Sequence, residues 1–294
     1  TIYGGTYAFM KNMLPKWNIK THFVDITKLD VVGAAINSNT KVLYCETVSN
    51  PLLEVADIEN LAKLAKKHNL KLVVDNTFSP LSVAPAKLGA DVVIHSLTKF
   101  INGSSDTVGG VICASQAFID DLKNVNSGAS MLLGPTMDSL RAASIMKNLR
   151  TLHIRMKQHS YNATYLAEKF EKDGLKVVYP GLKSHPSHEI YSTMINHEFG
   201  FGGMMTIDAG SLDKANALME LMQHKNLGYL AVSLGFYKTL FSAPGTSTSS
   251  EIPMEEQKEM GLTDGLIRLS IGLDNDIERT YQTMKQCMKE LHVL

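Results

Sequence analysis

Short apolar runs that end in polar residues recur along the first part of the chain. Two of them are Lys71-Leu-Val-Val-Asp75 and Ala90-Asp-Val-Val-Ile94, and the second continues into His95-Ser-Leu-Thr-Lys99. Runs of this kind, rich in β-branched residues, are typical of buried parallel strands, which present functional side chains at their carboxyl ends. The pattern therefore predicts two neighbouring strands, one closed by Asp75 and the other by Lys99.

Further predicted strands and helices lie before and after these two runs. Apolar periodicity predicts strands over residues 21–25, 41–46 and 109–114 and a helix over residues 29–36. Asp57 is predicted to cap a further helix that places Ile58, Leu61 and Ala65 on one face. Strands that alternate with helices predict an α/β fold with a mainly parallel sheet covered on both faces.

From Met137 onward the pattern becomes helical and then returns to shorter elements. Predicted helices cover residues 137–156, 161–171, 212–223 and 276–291, and predicted strands cover residues 176–179, 203–208 and 267–271. These elements predict a large domain over residues 1–150 and a smaller α+β domain over residues 151–294. The Ser/Thr-rich segment from Ser242 to Glu251 is predicted to be a flexible loop of the kind that lies over a site.

Composition narrows the classes of protein. The 294 residues are 44% hydrophobic, enough to bury a large core, and the 29 basic and 29 acidic side chains balance, which disfavours nucleic-acid binding. The three cysteines form no CxxC pair, and no apolar run reaches the ~20 residues of a membrane span. We therefore expect a cytoplasmic protein with reduced thiols, no membrane association and no metal. Because the chain starts at Thr1 with no strand ahead of Tyr3, we also expect the C-terminal portion of a longer protein.

The chemistry predicted for Asp75 and Lys99 depends on taking them together. Alone, Asp75 is typical of a turn and Lys99 of an exposed strand end. Together, a partly buried amine and a carboxylate are the minimum equipment for pyridoxal phosphate chemistry, in which lysine forms a Schiff base and aspartate pairs with the pyridinium nitrogen. Ser96 and Thr98 alternate with apolar residues along the predicted strand and are predicted to share a face and hold the phosphate. No GxGxxG motif follows any strand, which disfavours a nicotinamide cofactor.

Arg268 stands inside an apolar strand, Leu266-Ile-Arg-Leu-Ser270. A buried arginine is costly unless it is paired, so this side chain is predicted to meet either a structural carboxylate or a water-filled cleft. Its forked donors suit bidentate capture of the α-carboxylate of an amino acid. Both interpretations stay open from the sequence alone.

Several short motifs follow one another in a fixed order. They are Tyr3-Gly4-Gly5-Thr6, Ser49-Asn50-Pro51, Val74-Asp75-Asn76-Thr77, Ser96-Leu97-Thr98-Lys99, Tyr179-Pro180-Gly181, Ala231-Val232-Ser233-Leu234-Gly235 and Leu266-Ile267-Arg268-Leu269-Ser270. In order and spacing they resemble the Cys/Met-metabolism family of pyridoxal phosphate enzymes over essentially the whole chain. Within that family they are most similar to the methionine γ-lyases of the plant-type branch, to which the segment Ser247-Thr248-Ser249-Ser250-Glu251 is also similar.

The resemblance implies a fold-type-I enzyme, a homotetramer built as a dimer of dimers, with pyridoxal phosphate as cofactor. It implies that Lys99 binds the cofactor covalently, that Asp75 holds the pyridinium nitrogen and that Ser96 and Thr98 bind the phosphate. It implies that Tyr3 stacks on the cofactor ring and serves the leaving group.

The resemblance also assigns a substrate site. Asn50, Ser233 and Arg268 would hold the carboxylate of a small sulfur amino acid, with Glu46 supporting the site. The implied reaction is γ-elimination of L-methionine to methanethiol, 2-oxobutyrate and ammonia. Cystathionine γ-lyase and O-acetylhomoserine sulfhydrylase activities are alternatives, and a non-catalytic α/β interaction protein is the alternative from another class.

Some positions depart from the pattern of these relatives. Many bacterial methionine γ-lyases carry Cys where this chain has Gly5, and glycine there is shared with cystathionine-handling and sulfhydrylase relatives. The usual Gly-His after the lysine motif is Gly103-Ser104 here. The phosphate loop that lies upstream in relatives is absent, so we expect the phosphate site to be incomplete within these residues.

Overall fold

The computed structural model describes residues 2–247 and 252–294. Its first sheet contains four strands, Val42–Glu46 (β1), Lys71–Asp75 (β2), Val92–Ser96 (β3) and Gly110–Ala114 (β4), in the spatial order β1-β2-β3-β4. The first three strands are parallel, and β4 pairs with β3 antiparallel. The register places Glu46 beside Asp75 and Asp75 beside Ile94. The carboxyl ends of three strands therefore meet at one edge, as the sequence pattern predicts.

A second sheet occupies the later part of the chain. Its strands are Val177–Val178 (β5), Met204–Asp208 (β6), Tyr229–Leu230 (β7), Leu240–Ser242 (β8) and Leu266–Ser270 (β9), in the order β5-β6-β9-β8-β7. Only the β7–β8 pair in this sheet is parallel within the described residues. Strand β9 is central, and all five of its residues are buried. Arg268 is therefore fixed in the middle of a sheet.

Helices surround both sheets. The α-helices are Gly4–Ala8 (α1), Leu29–Ala35 (α2), Ile58–Lys67 (α3), Gln116–Leu122 (α4), Ala129–Leu133 (α5), Ser139–Leu149 (α6), Leu152–Lys172 (α7), His188–Met194 (α8), Leu212–His224 (α9), Met254–Glu259 (α10) and Ile277–Glu290 (α11). Tighter 3₁₀ turns cover Leu14–Trp17, Pro85–Leu88 and Pro244–Thr246, and wider π turns cover Phe9–Met13 and Leu97–Ile101. The predicted cap of α3 is present, because the Asp57 side chain accepts a hydrogen bond from the Asn60 amide, a contact that typically contributes about 1 kcal/mol.

The strand predicted over residues 21–25 is wrong. These residues are irregular and pair with no strand in the described part of the chain. Asp25 accepts hydrogen bonds from the amide and the hydroxyl of Thr27, and Phe23 packs its half-exposed ring against Tyr7. The segment is therefore held by the local turn at Asp25 and by the ring contact of Phe23 rather than by pairing with a strand.

The strand that carries the lysine motif is shorter than predicted. Strand β3 ends at Ser96, and Lys99 lies inside the π turn Leu97–Ile101, which we call the lysine turn. The chain coils there because the amides of Asn102 and Gly103 return to the carbonyls of Leu97 and Lys99, at 2.9 and 2.8 Å. The argument that Ser96 and Thr98 share a strand face is therefore wrong, since only Ser96 belongs to the strand.

Two hydrophobic clusters underlie the two sheets. The first contains Leu72 and Val74 of β2 together with Met156 of α7. The second contains Ile267 of β9 together with Phe170, also of α7. Helix α7 thus contributes to both clusters. The domain boundary between residues 150 and 151, just before α7, stays a prediction.

The predicted Ser/Thr-rich loop is only partly described. Ser242 belongs to β8 and is buried, and Pro244–Thr246 forms a 3₁₀ turn, so the segment begins with regular structure. Residues 248–251 of the predicted loop lie outside the described residues. Among the helices that the structure describes, none is long and apolar enough to cross a membrane.

Candidate active site

Lys99 and Asp75 lie at the same edge of the first sheet. The Asp75 carboxylate closes β2 and accepts the Thr77 amide through Oδ1 at 2.9 Å, which is the turn contact expected of an aspartate at this position. Its second oxygen has no hydrogen bond within the described residues. The carboxylate therefore closes a turn and keeps one oxygen available to a ligand.

The Lys99 amine is partly buried and points toward the second sheet. Its Nζ atom donates a hydrogen bond to Ser233 Oγ at 3.2 Å, across 134 positions of sequence. Burial lowers the pKa of Lys99, and the nearby positive charge of Arg268 lowers it further. An amine in this environment is neutral more often than an exposed lysine, which favours nucleophilic and basic roles.

Arg268 is 2% exposed and makes no ion pair within the described residues. Its guanidinium donates to Asn50 Oδ1 at 2.9 Å and to the carbonyls of Val232 and Ser233 at 3.4 and 3.3 Å. Burial lowers the pKa of Arg268 to about 10, so the side chain stays charged at neutral pH. The structural ion pair left open by the sequence is absent from this part of the chain. A buried cation without a carboxylate is costly, and an anionic ligand would offset that cost.

Glu46 organises two other predicted site residues. One carboxylate oxygen accepts the Tyr3 amide at 2.7 Å, and the other accepts the Asn50 amide at 2.9 Å. Burial, followed by the charge of Asp75, raises the pKa of Glu46 to about 8. Both oxygens are therefore used to position backbone, which gives Glu46 a supporting place in the site.

Tyr3 enters the site from the first helical segment. Its side chain is 51% exposed, and its ring lies over Gly5, where a Cβ atom would approach Tyr3 Cε1 to 2.7 Å. Burial lowers the pKa of Arg268, and the nearby Tyr3 side chain opposes that effect. Glycine at position 5 therefore lets the Tyr3 ring occupy this position.

The two predicted phosphate ligands differ in their surroundings. The Ser96 hydroxyl has no hydrogen bond in the described ranges, whereas the Ser96 amide donates to Thr77 Oγ1 at 2.9 Å. Thr98 Oγ1 accepts the Gly109 amide at 3.0 Å and lies 3.4 Å from the Gly109 carbonyl. Thr98 therefore already joins the lysine turn to β4, and Ser96 is the more available hydroxyl.

Sequence reasoning missed the residues that join these groups. Thr77 binds both the Asp75 carboxylate and the Ser96 amide, so it connects the two predicted cofactor contacts. Asn76 is 1% exposed, accepts the Thr47 hydroxyl at 2.7 Å and donates to the carbonyls of Ser79 and Val83. The polar run Asp75-Asn76-Thr77 directly after a buried strand was the available signal.

Comparisons with known proteins agree with this geometry. The family described as Cys/Met metabolism PLP-dependent enzyme matches residues 1–289. Methionine gamma-lyase of Arabidopsis thaliana is 43% identical over 284 residues, covering 96% of this chain and 64% of that protein. Cystathionine gamma-lyase of Bacillus subtilis is 38% identical over 294 residues, covering 99% of this chain and 75% of that protein.

A solved structure extends the comparison to the fold. The crystal structure of cystathionine gamma-lyase from Lactobacillus plantarum, complexed with L-serine, superposes with a TM-score of 0.91 at 29% identity and covers 99% of this chain and 74% of that one. The chain thus spans about two thirds to three quarters of the length of these relatives. With its fold and its sequence both matching, this chain belongs to the Cys/Met metabolism family of PLP-dependent enzymes, as the motif resemblance predicts.

Proposed function

We propose that this chain acts as a carbon–sulfur lyase that depends on pyridoxal phosphate, and that its reaction is γ-elimination of L-methionine to methanethiol, 2-oxobutyrate and ammonia. One observation supports the lyase site above all others. A half-buried amine meets a buried arginine that pairs with no carboxylate of the described residues. Ser233 accepts a hydrogen bond from Lys99 Nζ through its hydroxyl and one from the Arg268 guanidinium through its carbonyl. This is the pairing that a bound amino acid needs for its reacting carbon and its carboxylate.

The donor set fits the cofactor of the family. Lys99 offers an amine of lowered pKa for the aldehyde, and Asp75 offers a carboxylate oxygen for the ring nitrogen. Ser96 offers the phosphate a hydroxyl that has no hydrogen bond to the described residues. When bound, pyridoxal phosphate would supply an electron sink for charge that develops at the substrate Cα. The remaining steps fall to side chains of this chain.

Those side chains would bind the substrate and move its protons. Arg268, Asn50 and Ser233 would hold the substrate carboxylate, which fixes the Cα atom near Lys99. The Lys99 amine would take a proton from Cα and move protons at Cβ, since its lowered pKa leaves more of it neutral near pH 7. The Tyr3 hydroxyl would give a proton to the departing sulfur.

A product assay tests this proposal. Purified protein with added pyridoxal phosphate is given L-methionine, L-cystathionine, or O-acetylhomoserine with a thiol, and thiols, 2-oxobutyrate and replacement products are quantified. We expect methanethiol and 2-oxobutyrate in equal amounts from L-methionine, at the highest kcat/KM of the three. Faster release of cysteine from cystathionine, or net thiol replacement, would transfer the assignment to one of the two alternative activities.

Cystathionine γ-lyase activity is the alternative with the most support. A cystathionine γ-lyase and a methionine γ-lyase are similar to this chain at 38% and 43% identity. Gly5, over which the Tyr3 ring lies, is also the residue shared with the cystathionine-handling relatives described above. A non-catalytic α/β interaction protein would instead show no visible cofactor absorbance after pyridoxal phosphate is added.

We further propose that the protein works as a homotetramer assembled from dimers. Large apolar side chains are exposed on several helices, including Leu133 at 81% and Leu140 at 82%. Large apolar side chains exposed in this number are typical of surfaces that are covered by another subunit. Light scattering on the purified protein measures the mass, and a monomer at micromolar concentration would contradict the proposal.

A further inference from the structure

One face of helix α7 bridges the two halves of the site. Arg155, His159 and Asn162 follow one another at helical spacing, and each binds groups outside the helix. Arg155 binds the carbonyls of Phe100 and Ile101 in the lysine turn. His159 packs edge-on against the Phe100 ring and bonds the Ile271 carbonyl at 2.6 Å, while Asn162 donates to backbone carbonyls just beyond β9. The face therefore connects the segment after Lys99 with the segment after Arg268.

Arg155 is the member of this face that holds the lysine turn. Its Nη2 donates to the Ile101 carbonyl at 2.8 Å and to the Asn148 carbonyl at 3.1 Å, and its Nε donates to Thr151 Oγ1 at 3.1 Å. It makes no ion pair with any described carboxylate. The final carbonyls of a helical turn lack partners within the turn, so a forked cation is well suited to satisfy two of them at once.

Two glycines make this arrangement possible. Gly103 has a φ of +72°, and a Cβ atom there would lie 2.4 Å from Arg155 Nη1. Gly235 has a φ of +74°, and a Cβ atom there would lie 2.4 Å from the Phe100 amide nitrogen and 2.9 Å from the Lys99 carbonyl carbon. The backbone that carries Lys99 is thus in close contact with both Gly235 and the guanidinium of Arg155.

We propose that Arg155 is a positioning residue for Lys99: by binding the carbonyls of Phe100 and Ile101, it holds the lysine turn in the geometry that places Nζ beside Ser233. The inference rests on the proposed function in taking Lys99 as the residue that binds the cofactor. Loss of the guanidinium frees two carbonyls, and the turn then loses the only side chain among the described residues that holds them. A displacement of the amine of about 1 Å is enough to cost about a hundredfold in rate.

The first test compares Arg155→Met with Arg141→Met in the protein loaded with pyridoxal phosphate. Arg141 is exposed and pairs with Asp138 on α6, so its variant controls for the loss of an arginine. Amide hydrogen exchange is followed on the peptide spanning the amides of Asn102 and Gly103. We expect exchange there to rise at least about tenfold in Arg155→Met and to stay unchanged in Arg141→Met, with the exchange of β2 unchanged in both.

Two further readouts come from the same samples. The pH midpoint of the visible absorbance of the bound cofactor should shift in Arg155→Met alone, because the amine of Lys99 moves relative to Arg268 and Ser233. On the substrate that the protein turns over best, kcat should fall about 10- to 100-fold while KM changes less than about threefold. Unchanged exchange and an unchanged absorbance midpoint in Arg155→Met would overturn the proposal. If no substrate reacts, the proposed function fails, and the exchange and absorbance results still decide this inference.

A glycine pair provides a test that leaves the arginine in place. Gly103→Ala puts a methyl group against the guanidinium, whereas Gly174→Ala has the same left-handed backbone, at φ +89°, with nothing within 4 Å. We expect Gly103→Ala, and not Gly174→Ala, to reproduce the exchange and absorbance changes of Arg155→Met. Combining Gly103→Ala with Arg155→Met should add less than the sum of the single effects, since both act on one contact. Full additivity would contradict the mechanism. If Arg155→Met does not fold, Arg155→Lys, which keeps the charge and cannot bridge both carbonyls, takes its place with the same expected direction.

Discussion

At the residue scale, Glu46 and Arg268 show two outcomes of burying an ionisable group beside a ligand site. Burial of Glu46, followed by the negative charge of Asp75 beside it in the sheet register, raises the pKa of Glu46 to about 8. Arg268 has polar neighbours and no carboxylate partner in the described part of the chain, and it stays charged because its pKa falls only to about 10. One group therefore tends to stay neutral and hold backbone, and the other keeps a charge for a ligand.

The raised pKa of Glu46 predicts a pH dependence of stability. In the cofactor-free protein the unfolded chain loses the Glu46 proton near pH 4.5, while the folded chain keeps it until about pH 8. The contribution is therefore fully present below about pH 4.5 and is lost as the pH rises to about 8. Urea unfolding should show the stability of the wild type falling by about 1 kcal/mol or more over this window relative to Glu46→Gln. Glutamine at position 46 has one hydrogen-bond acceptor fewer than glutamate. This lowers the free energy of unfolding of the variant by the same amount at every pH. Parallel curves would contradict the raised pKa.

The second residue-scale prediction concerns the amine of Lys99. Lys99→Ala should fold and keep its helix content, because the side chain contributes only one hydrogen bond within the described residues. Turnover should fall by several orders of magnitude, since covalent cofactor attachment and proton transfer share this amine. Circular dichroism measures folding, and the product assay measures turnover. Near-normal elimination by Lys99→Ala would remove the central assignment of the site.

At the element scale, the regular strands could be predicted from the sequence, whereas the turns that position the site residues could not. The runs before Glu46 and Asp75 are mainly apolar and short, and the structure confirms both strands and their parallel pairing. The predicted strand through Thr98 failed because the chain coils after Ser96: the amides of Asn102 and Gly103 bind the carbonyls of Leu97 and Lys99, while Leu97 and Thr98 bind the backbone of Gly109. No local pattern reveals a partner twelve positions away. The Arg155 contacts lie further still, across more than fifty positions.

A prediction at this scale concerns the close approach of Gly235 to the lysine turn. Gly235→Ala places a methyl group 2.4 Å from the Phe100 amide nitrogen, while Gly174→Ala meets nothing within 4 Å at a similar φ. Both variants lose the conformational freedom of glycine, and only the first forces the backbones apart. We expect Gly235→Ala to be about 1–3 kcal/mol less stable than Gly174→Ala in urea unfolding, and to lose cofactor affinity. Equal free energies of unfolding for the two variants would show that the segment around Gly235 can move away from the lysine turn without loss of stability.

At the scale of the whole molecule, the site is assembled from both sheets. Lys99 and Asn50 lie in the segments that follow β3 and β1 of the first sheet, whereas Arg268 belongs to β9 of the second sheet and Ser233 to the segment between β7 and β8. The direct bonds between them are those from Lys99 to Ser233 and from Arg268 to Asn50. A ligand that touches both sides therefore adds to the contacts that join the two halves.

This arrangement predicts two separable steps of stabilisation by ligands. Pyridoxal phosphate should raise the melting temperature through contacts on the first sheet alone. L-Norleucine, which has the carboxylate of methionine and no sulfur to eliminate, should raise it further by binding Arg268. A ligand at about a hundredfold above its Kd contributes about 2.7 kcal/mol, enough to resolve in a melting curve.

The variant that separates the two steps is Arg268→Met, with Arg279→Met on the exposed face of α11 as its control. In Arg268→Met the cofactor shift should remain and the L-norleucine shift should disappear, because the methionine side chain offers no donors to a carboxylate. Arg279→Met should keep both shifts. An L-norleucine shift that survives in Arg268→Met would place the carboxylate elsewhere. A cofactor shift lost together with it would mean that the buried arginine supports the fold of both halves rather than the ligand that joins them.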